Sequence, residues 1–211
     1  MKYNPKIDCR RSIRLKGYDY SRSGAYFVTI CTKEKECLLG NIEDGRVELN
    51  DAGAMIKYWW IELQHKFGNI KLDEFIIMPN HIHGIIIITV GADRCVCPHI
   101  ELISNDRKGE HAGSPLHRII QWFKTMATNK YIIGVKKYGW QPFNGKLWQR
   151  NYYEHIIRNE NSLNRIREYI INNPIKWGMD FENPGAASNY RNFNDYFEKE
   201  IIKKRYESRA Y

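Results

Sequence analysis

Ile70–Met78 and His81–Val90 stand only Pro79-Asn80 apart, and both are rich in β-favouring residues. Their apolar runs, Phe75-Ile76-Ile77 and Ile85-Ile86-Ile87-Ile88, lack the polar alternation of a half-solvated strand. Each segment therefore reads as a strand buried on both faces. Further elements must cover this pair, and the rest of the chain supplies them.

Ala25–Thr32 is β-prone throughout, and Arg46–Leu49 is a short strand candidate behind Gly40 and the Asp44-Gly45 turn. Asn50 or Asp51 caps a helix to about Lys66, with Met55, Tyr58, Trp59 and Leu63 on its apolar face and Gly68 ending it. Ser114-Pro115 starts a second helix carrying Leu116, Ile119, Ile120, Phe123 and Ala127. Gly134–Lys146 reads as a loop and Trp148–Ile157 as a short strand. A third helix starts at Asn161, turns Leu163, Ile166 and Ile170 to the core, and closes at Pro174. The order β, α, β, β, α, β, α predicts an α+β fold, a ferredoxin-like α/β sandwich with a mainly antiparallel central sheet packed with helices. Residues 1–23 form a basic arm, 24–180 the domain with a loop insertion at 91–113, and 181–211 a basic extension. That extension holds a break at Asn183-Pro184-Gly185 and a surface helix over Asp195–Arg205.

Hydrophobic residues make up 43% and aromatics 13% of the chain, enough for a packed core and against disorder throughout. A formal charge of +9 and a pI near 9.2 suit a polyanionic partner, since each Lys or Arg that meets a phosphate releases a counterion. Cysteines at 9, 31, 37, 95 and 97 form no disulfide framework, which fits a reducing cytoplasm. The start, Met1-Lys2-Tyr3-Asn4-Pro5, has no apolar core, so no secretory signal is expected. Ile85–Ile88 is far too short to cross a membrane.

His81-Ile82-His83 is the sharpest chemical feature. On a strand, residues i and i+2 share a face, so two imidazoles stand together as a pair suited to a divalent metal. The plain alternative is two unrelated polar residues at a strand mouth. Tyr169 and Asn173 lie one helical turn apart beside the apolar seam, where an amide oxygen can complete a metal site and a phenol can be activated. The alternative is a tyrosine that merely packs. Tyr152 and Tyr153, near His155, compete for a nucleophilic role. A zinc site at Cys95, Cys97, His99 and His111 lacks the second paired ligand motif. Arg118, Lys124, Lys130, Lys136 and Lys137 offer a phosphate track, and Trp122, Trp140, Phe143 and Trp148 offer stacking surfaces, unless they fill the core. A histidine-triad hydrolase needs a third histidine where Ile85 stands.

Met78-Pro79-Asn80-His81-Ile82-His83-Gly84, the block Trp148–Arg158, and Tyr169-Ile170-Ile171-Asn172-Asn173-Pro174 resemble the signature blocks of the REP-associated tyrosine transposases. These belong to the single-tyrosine HUH transposase superfamily. Gly24–Thr29 resembles that family's first strand, and the likeness spans roughly residues 10 to 180. It implies His81, His83 and Asn173 as ligands of magnesium or manganese, and Tyr169 as nucleophile. It also implies a DNA endonuclease and strand transferase that forms a covalent 5′-phosphotyrosine on single-stranded or hairpin DNA. Arg10, Arg11, Arg14, Lys124, Trp148, Gln149 and Arg150 are the expected DNA contacts. Monomer and homodimer both occur among such proteins. A non-catalytic nucleic-acid-binding protein on the same fold is the rival expectation.

Overall fold

The computed structural model describes residues 23–89 and 114–186, together with Asp195. Strands β1 (Gly24–Cys31), β4 (Ile70–Ile77), β5 (His81–Ile88) and β6 (Tyr153–Ile157) form one sheet in the order β4-β5-β1-β6. Every neighbouring pair in it is antiparallel. Strands β2 (Gly40–Glu43) and β3 (Arg46–Leu49) form a separate hairpin around Asp44-Gly45, both at positive φ. Helices α1 (Asp51–Lys66), α2 (Pro115–Tyr138) and α3 (Glu160–Asn172) pack with them, and short 3-10 turns lie at Lys33–Lys35 and Trp177–Met179. The fold is α+β: β1 and β4 flank β5 through α1, and β5 and β6 flank β1 through α2. Two interleaved split βαβ units result, the arrangement expected of a ferredoxin-like core.

Both sheet faces are covered, as the apolar runs require. Even-numbered residues of β1 and β5, among them Tyr26, Val28, Ile82 and Ile86, pack with Ile56 and Trp60 of α1 and Ile119 and Phe123 of α2. Odd-numbered Phe27 and Ile85 pack with Ile166, Tyr169 and Ile170 of α3. Gly84 allows a close approach, because a Cβ there would lie 2.4 Å from Trp60 Cζ2. On the other face, Arg167 of α3 holds both carboxylate oxygens of Asp73 at 2.7 Å. Asp73 stands where the β4 register breaks, between Leu72 and Phe75.

Several sequence expectations are corrected. The buried face of α1 is Ala52, Ile56, Trp60 and Leu63, while Tyr58 is 56% exposed. That helix ends at an extended Phe67 rather than through a left-handed Gly68. Helix α2 runs through Gly134 to Tyr138, because Gly134 makes room for the Trp140 ring; the left-handed cap is Gly139. The sixth strand begins only at Tyr153, with Trp148 making an isolated bridge to Thr32. Asn159, not Asn161, caps α3 by accepting from the Ser162 amide. Gly40–Glu43 is an unanticipated strand. The 91–113 insertion, and the 195–205 helix beyond Asp195, lie outside the described residues.

Candidate metal centre and tyrosine site

The odd-numbered face of β5 carries His81 and His83 beneath the C-terminal end of α3, and both side chains are fully buried. Their Nε2 atoms lie 2.9 Å apart. Asn80 fixes the first ring. Its amide nitrogen donates to the carbonyls of Lys35 and Glu182, at 3.0 and 2.8 Å, so its oxygen faces His81 Nδ1 at 2.7 Å. That oxygen can only accept, so Nδ1 carries the proton and Nε2 keeps its lone pair. His83 Nδ1 is 2.9 Å from Thr29 Oγ1.

Two more groups close the cluster. Asp180 Oδ2 stands 3.8 Å from His81 Nε2 and accepts from Asn173 Nδ2 at 3.0 Å. Asn173 Oδ1 is buried with no hydrogen-bond partner. The Tyr169 hydroxyl reaches His83 Nε2 at 3.3 Å. One ligand atom from each of His81, His83 and Asp180 lies within 4.8 Å of the others.

The electrostatics favour a cation. Burial holds His83 well below the ordinary imidazole range, and neighbouring His81 adds to the effect. Burial also lowers His81, against the upward pull of Asp180 and Glu182. Neutral imidazoles are the ligand form. Octahedral ions with bonds of about 2.1 Å place adjacent donors roughly 3 Å apart, which the two Nε2 atoms match. The orphaned Asn173 oxygen is the kind of buried acceptor that an ion satisfies. The residues present therefore fit a divalent metal.

Comparison with known proteins adds the following. No family model matches the chain. An uncharacterized protein of Haemophilus influenzae is 43% identical over 183 residues, covering 85% of this chain and 96% of the relative. This chain belongs to that protein's family. Among solved structures, a REP-associated tyrosine transposase bound to a REP hairpin is 17% identical, with a TM-score of 0.46 over 78% of this chain and 74% of the other. A proposed transposase of Deinococcus radiodurans is 17% identical, with a TM-score of 0.41 over 75% of this chain and 95% of the other. What the site can do thus rests on its side chains.

The structure brings His81, His83, Tyr169 and Asn173 into one cluster. Lys124, Trp148, Gln149 and Arg150 gather instead on the α1/α2 side of the sheet, around a separate groove. Arg10, Arg11 and Arg14, like Cys95, Cys97, His99 and His111, fall outside the described residues. Trp122 packs against Trp59 and Phe67, and Trp140 and Phe143 against Tyr131, as core-filling residues do. Sequence reading passed over Asp180 and gave Asn80 a role only in the Pro79-Asn80 connection. Asp180 follows Asn173 through Pro174 and a short 3-10 turn at Trp177–Met179, so no strand or helix period points to it. The available signal was Asp180 as the first carboxylate after the helix-closing proline. Among the described residues, no helix is long and apolar enough to cross a membrane.

Proposed function

We propose that this chain is a metal-dependent, single-tyrosine DNA endonuclease and strand transferase, a transposase acting on single-stranded or hairpin DNA. One observation carries the reading: a tyrosine hydroxyl 3.3 Å from a buried histidine whose neighbours include a second histidine and a carboxylate. A structural core has no use for four such groups together, and the sequence resemblance at His81, His83 and Tyr169 supports the assignment.

His81, His83 and Asp180, with Asn173 Oδ1 alongside, would hold magnesium or manganese, which supplies Lewis-acid stabilisation of charge developing on the phosphate. Asn80 keeps the His81 lone pair turned inward, and Asn173 holds Asp180 through its amide hydrogen. Tyr169 is the nucleophile. Its oxygen bonds to phosphorus as the bond from phosphorus to the 3′ oxygen breaks. The phenol proton is given up to water, and the leaving oxygen takes one up, freeing a 3′ hydroxyl. The strand is left joined through a 5′ phosphotyrosine. One phosphodiester has replaced another, so a later 3′ hydroxyl can reverse the step and join strands without ATP.

The test is cleavage of a hairpin oligonucleotide with a single-stranded flank, in magnesium or manganese buffer. His81→Ala and His83→Ala should each abolish cutting while the protein stays folded. Protease digestion and mass spectrometry should find the nucleotide on Tyr169. A nucleotide on the peptide holding Tyr152 and Tyr153 would reassign the nucleophile. Cut DNA with no adduct on any tyrosine would make water the nucleophile and overturn the transferase reading.

A further inference from the structure

A second concave surface lies across the sheet from Tyr169. A groove of about 500 Å³ runs between α2 and the segment 145–152. This is within the usual range of ligand sites, roughly 300–1,000 Å³. Its lining includes the cationic Lys124, Lys146 and Arg150 and the amides Gln121, Asn129 and Gln149, and among the described residues no Asp or Glu lines it. This lining suits an anion that also carries hydrogen-bonding edges.

Two details show that the groove is held in shape. Lys124 Nζ donates to the carbonyls of Gln149 and Asn151, at 2.9 and 3.1 Å, and sits 5.7 Å from the Tyr152 ring centroid. It thereby ties the 149–152 segment to α2. Trp148 lines the same groove, is 5% exposed, and carries a buried Nε1 with no hydrogen-bond partner. Lys146, Arg150 and Gln121 are exposed around it.

We infer that this groove binds one unpaired nucleotide of a DNA strand, with its phosphate on Lys146 and Arg150 and its base edge met by Gln121 and Gln149. Carboxamides carry a donor and an acceptor side by side, the pattern that pairs with a base edge. Ammonium and guanidinium groups meet the phosphate without reading sequence. Tyr152 lines the groove, whereas Tyr153, the next residue, packs on Phe27 of the opposite face. Strand β6, the last in the sheet order among the described residues, thus lies between this groove and the Tyr169 cluster. The inference rests on the reading that the chain handles DNA, but it needs none of the Tyr169 chemistry.

The experiment uses the full chain and two fluorescent hairpins of equal stem, one blunt and one with a single-stranded overhang of about ten nucleotides. The Lys146→Ala/Arg150→Ala double variant changes exposed side chains and should stay folded. Its affinity for the overhang hairpin should fall about tenfold. Its salt slope should shrink by about 0.7, the value for one phosphate on a single strand. Affinity for the blunt hairpin should stay unchanged. Gln121→Ala should lower overhang affinity without changing the slope. Titration with free dAMP forms a third arm. Tight dAMP binding that the double variant loses, beside unchanged overhang binding, would make the groove a mononucleotide site and overturn the strand assignment. Equal losses on both hairpins, or none on either, would also overturn it. Adduct formation by Tyr169 on saturating oligonucleotide is measured in parallel. Its absence in the parent protein, with the overhang effect intact, would remove the proposed chemistry and leave the groove standing.

Discussion

Tyr153 and Tyr169 both pack edge-on against Phe27, with ring centroids 6.3 and 6.0 Å away, yet they differ in chemistry. Burial pushes the Tyr153 phenol up to about 12, which makes it a poor source of phenolate. Tyr169 instead places its oxygen beside His83, where a bound cation would stabilise the phenolate. Tyr169→Phe should therefore abolish adduct formation and destabilise the fold by at most about 1 kcal/mol, one hydrogen bond's worth. Tyr153→Phe should keep the adduct; mass spectrometry and urea unfolding on the two variants check both halves. Asn80 tests the metal centre. Asn80→Ala frees the His81 ring to turn, and should weaken manganese binding by about 10–100-fold in calorimetry. Unchanged affinity would mean that His81 Nε2 is not held by Asn80.

At the scale of elements, the site depends on how closely α1 and α3 press on the sheet. Gly84 and Trp60 set the first distance. A Cβ 2.4 Å from a fully buried indole, itself packed on Phe123 at 5.3 Å between centroids, has no slack to use. Gly84→Ala should cost roughly 1–3 kcal/mol, read as a lower urea midpoint. Because His83 adjoins Gly84 on the opposite face, the variant should also weaken metal binding. Helix α3 is fastened differently. The paired bonds from Arg167 to Asp73 hold the carboxyl of Asp73 below its ordinary range and join α3 to β4 at the β4 register break. The other end of the helix runs into the 173–182 segment, which Lys35 holds through the Phe181 carbonyl at 2.7 Å and Glu182 at 3.2 Å.

For the molecule as a whole, two buried neutral histidines tie stability to pH. In the folded state both sit below the ordinary imidazole value of about 6.5, chiefly through burial. The unfolded chain, near 6.5, therefore binds more protons in acid than the native chain. Their contribution is fully present above about pH 6.5 and is lost as pH falls below that value towards the folded pKa. Urea midpoints of metal-free protein should drop between about pH 7 and pH 5, and a His81→Gln/His83→Gln variant should show a flatter profile. Protons and a divalent ion compete for the same lone pairs, so the gain in Tm from manganese should shrink over the same range.

Much of this was written in the sequence. The unalternating strands flanking Pro79-Asn80 demanded cover on both faces, and the period-2 rule put His81 and His83 side by side. The i, i+4 spacing placed Tyr169 and Asn173 on one helix surface. These are local consequences of backbone geometry, so a linear reading reaches them. Its errors were of two kinds. The buried face of α1 was assigned to Tyr58 and Trp59 because hydrophobicity alone does not say which neighbouring stripe meets the sheet; Gly84, distant in sequence, decided it by admitting Trp60. Helix α2 was cut short at Gly134 because a glycine's role depends on what lies above it, here the Trp140 ring. The third member of the cluster belonged to tertiary structure altogether. Asp180 reaches His81 through the closed fold, in which Asn173 holds its carboxylate and Asn80 bonds the Lys35 and Glu182 carbonyls at once, 45 residues back and 102 residues on. Contacts of that reach have no period in the chain, and only the closed fold brings their atoms together.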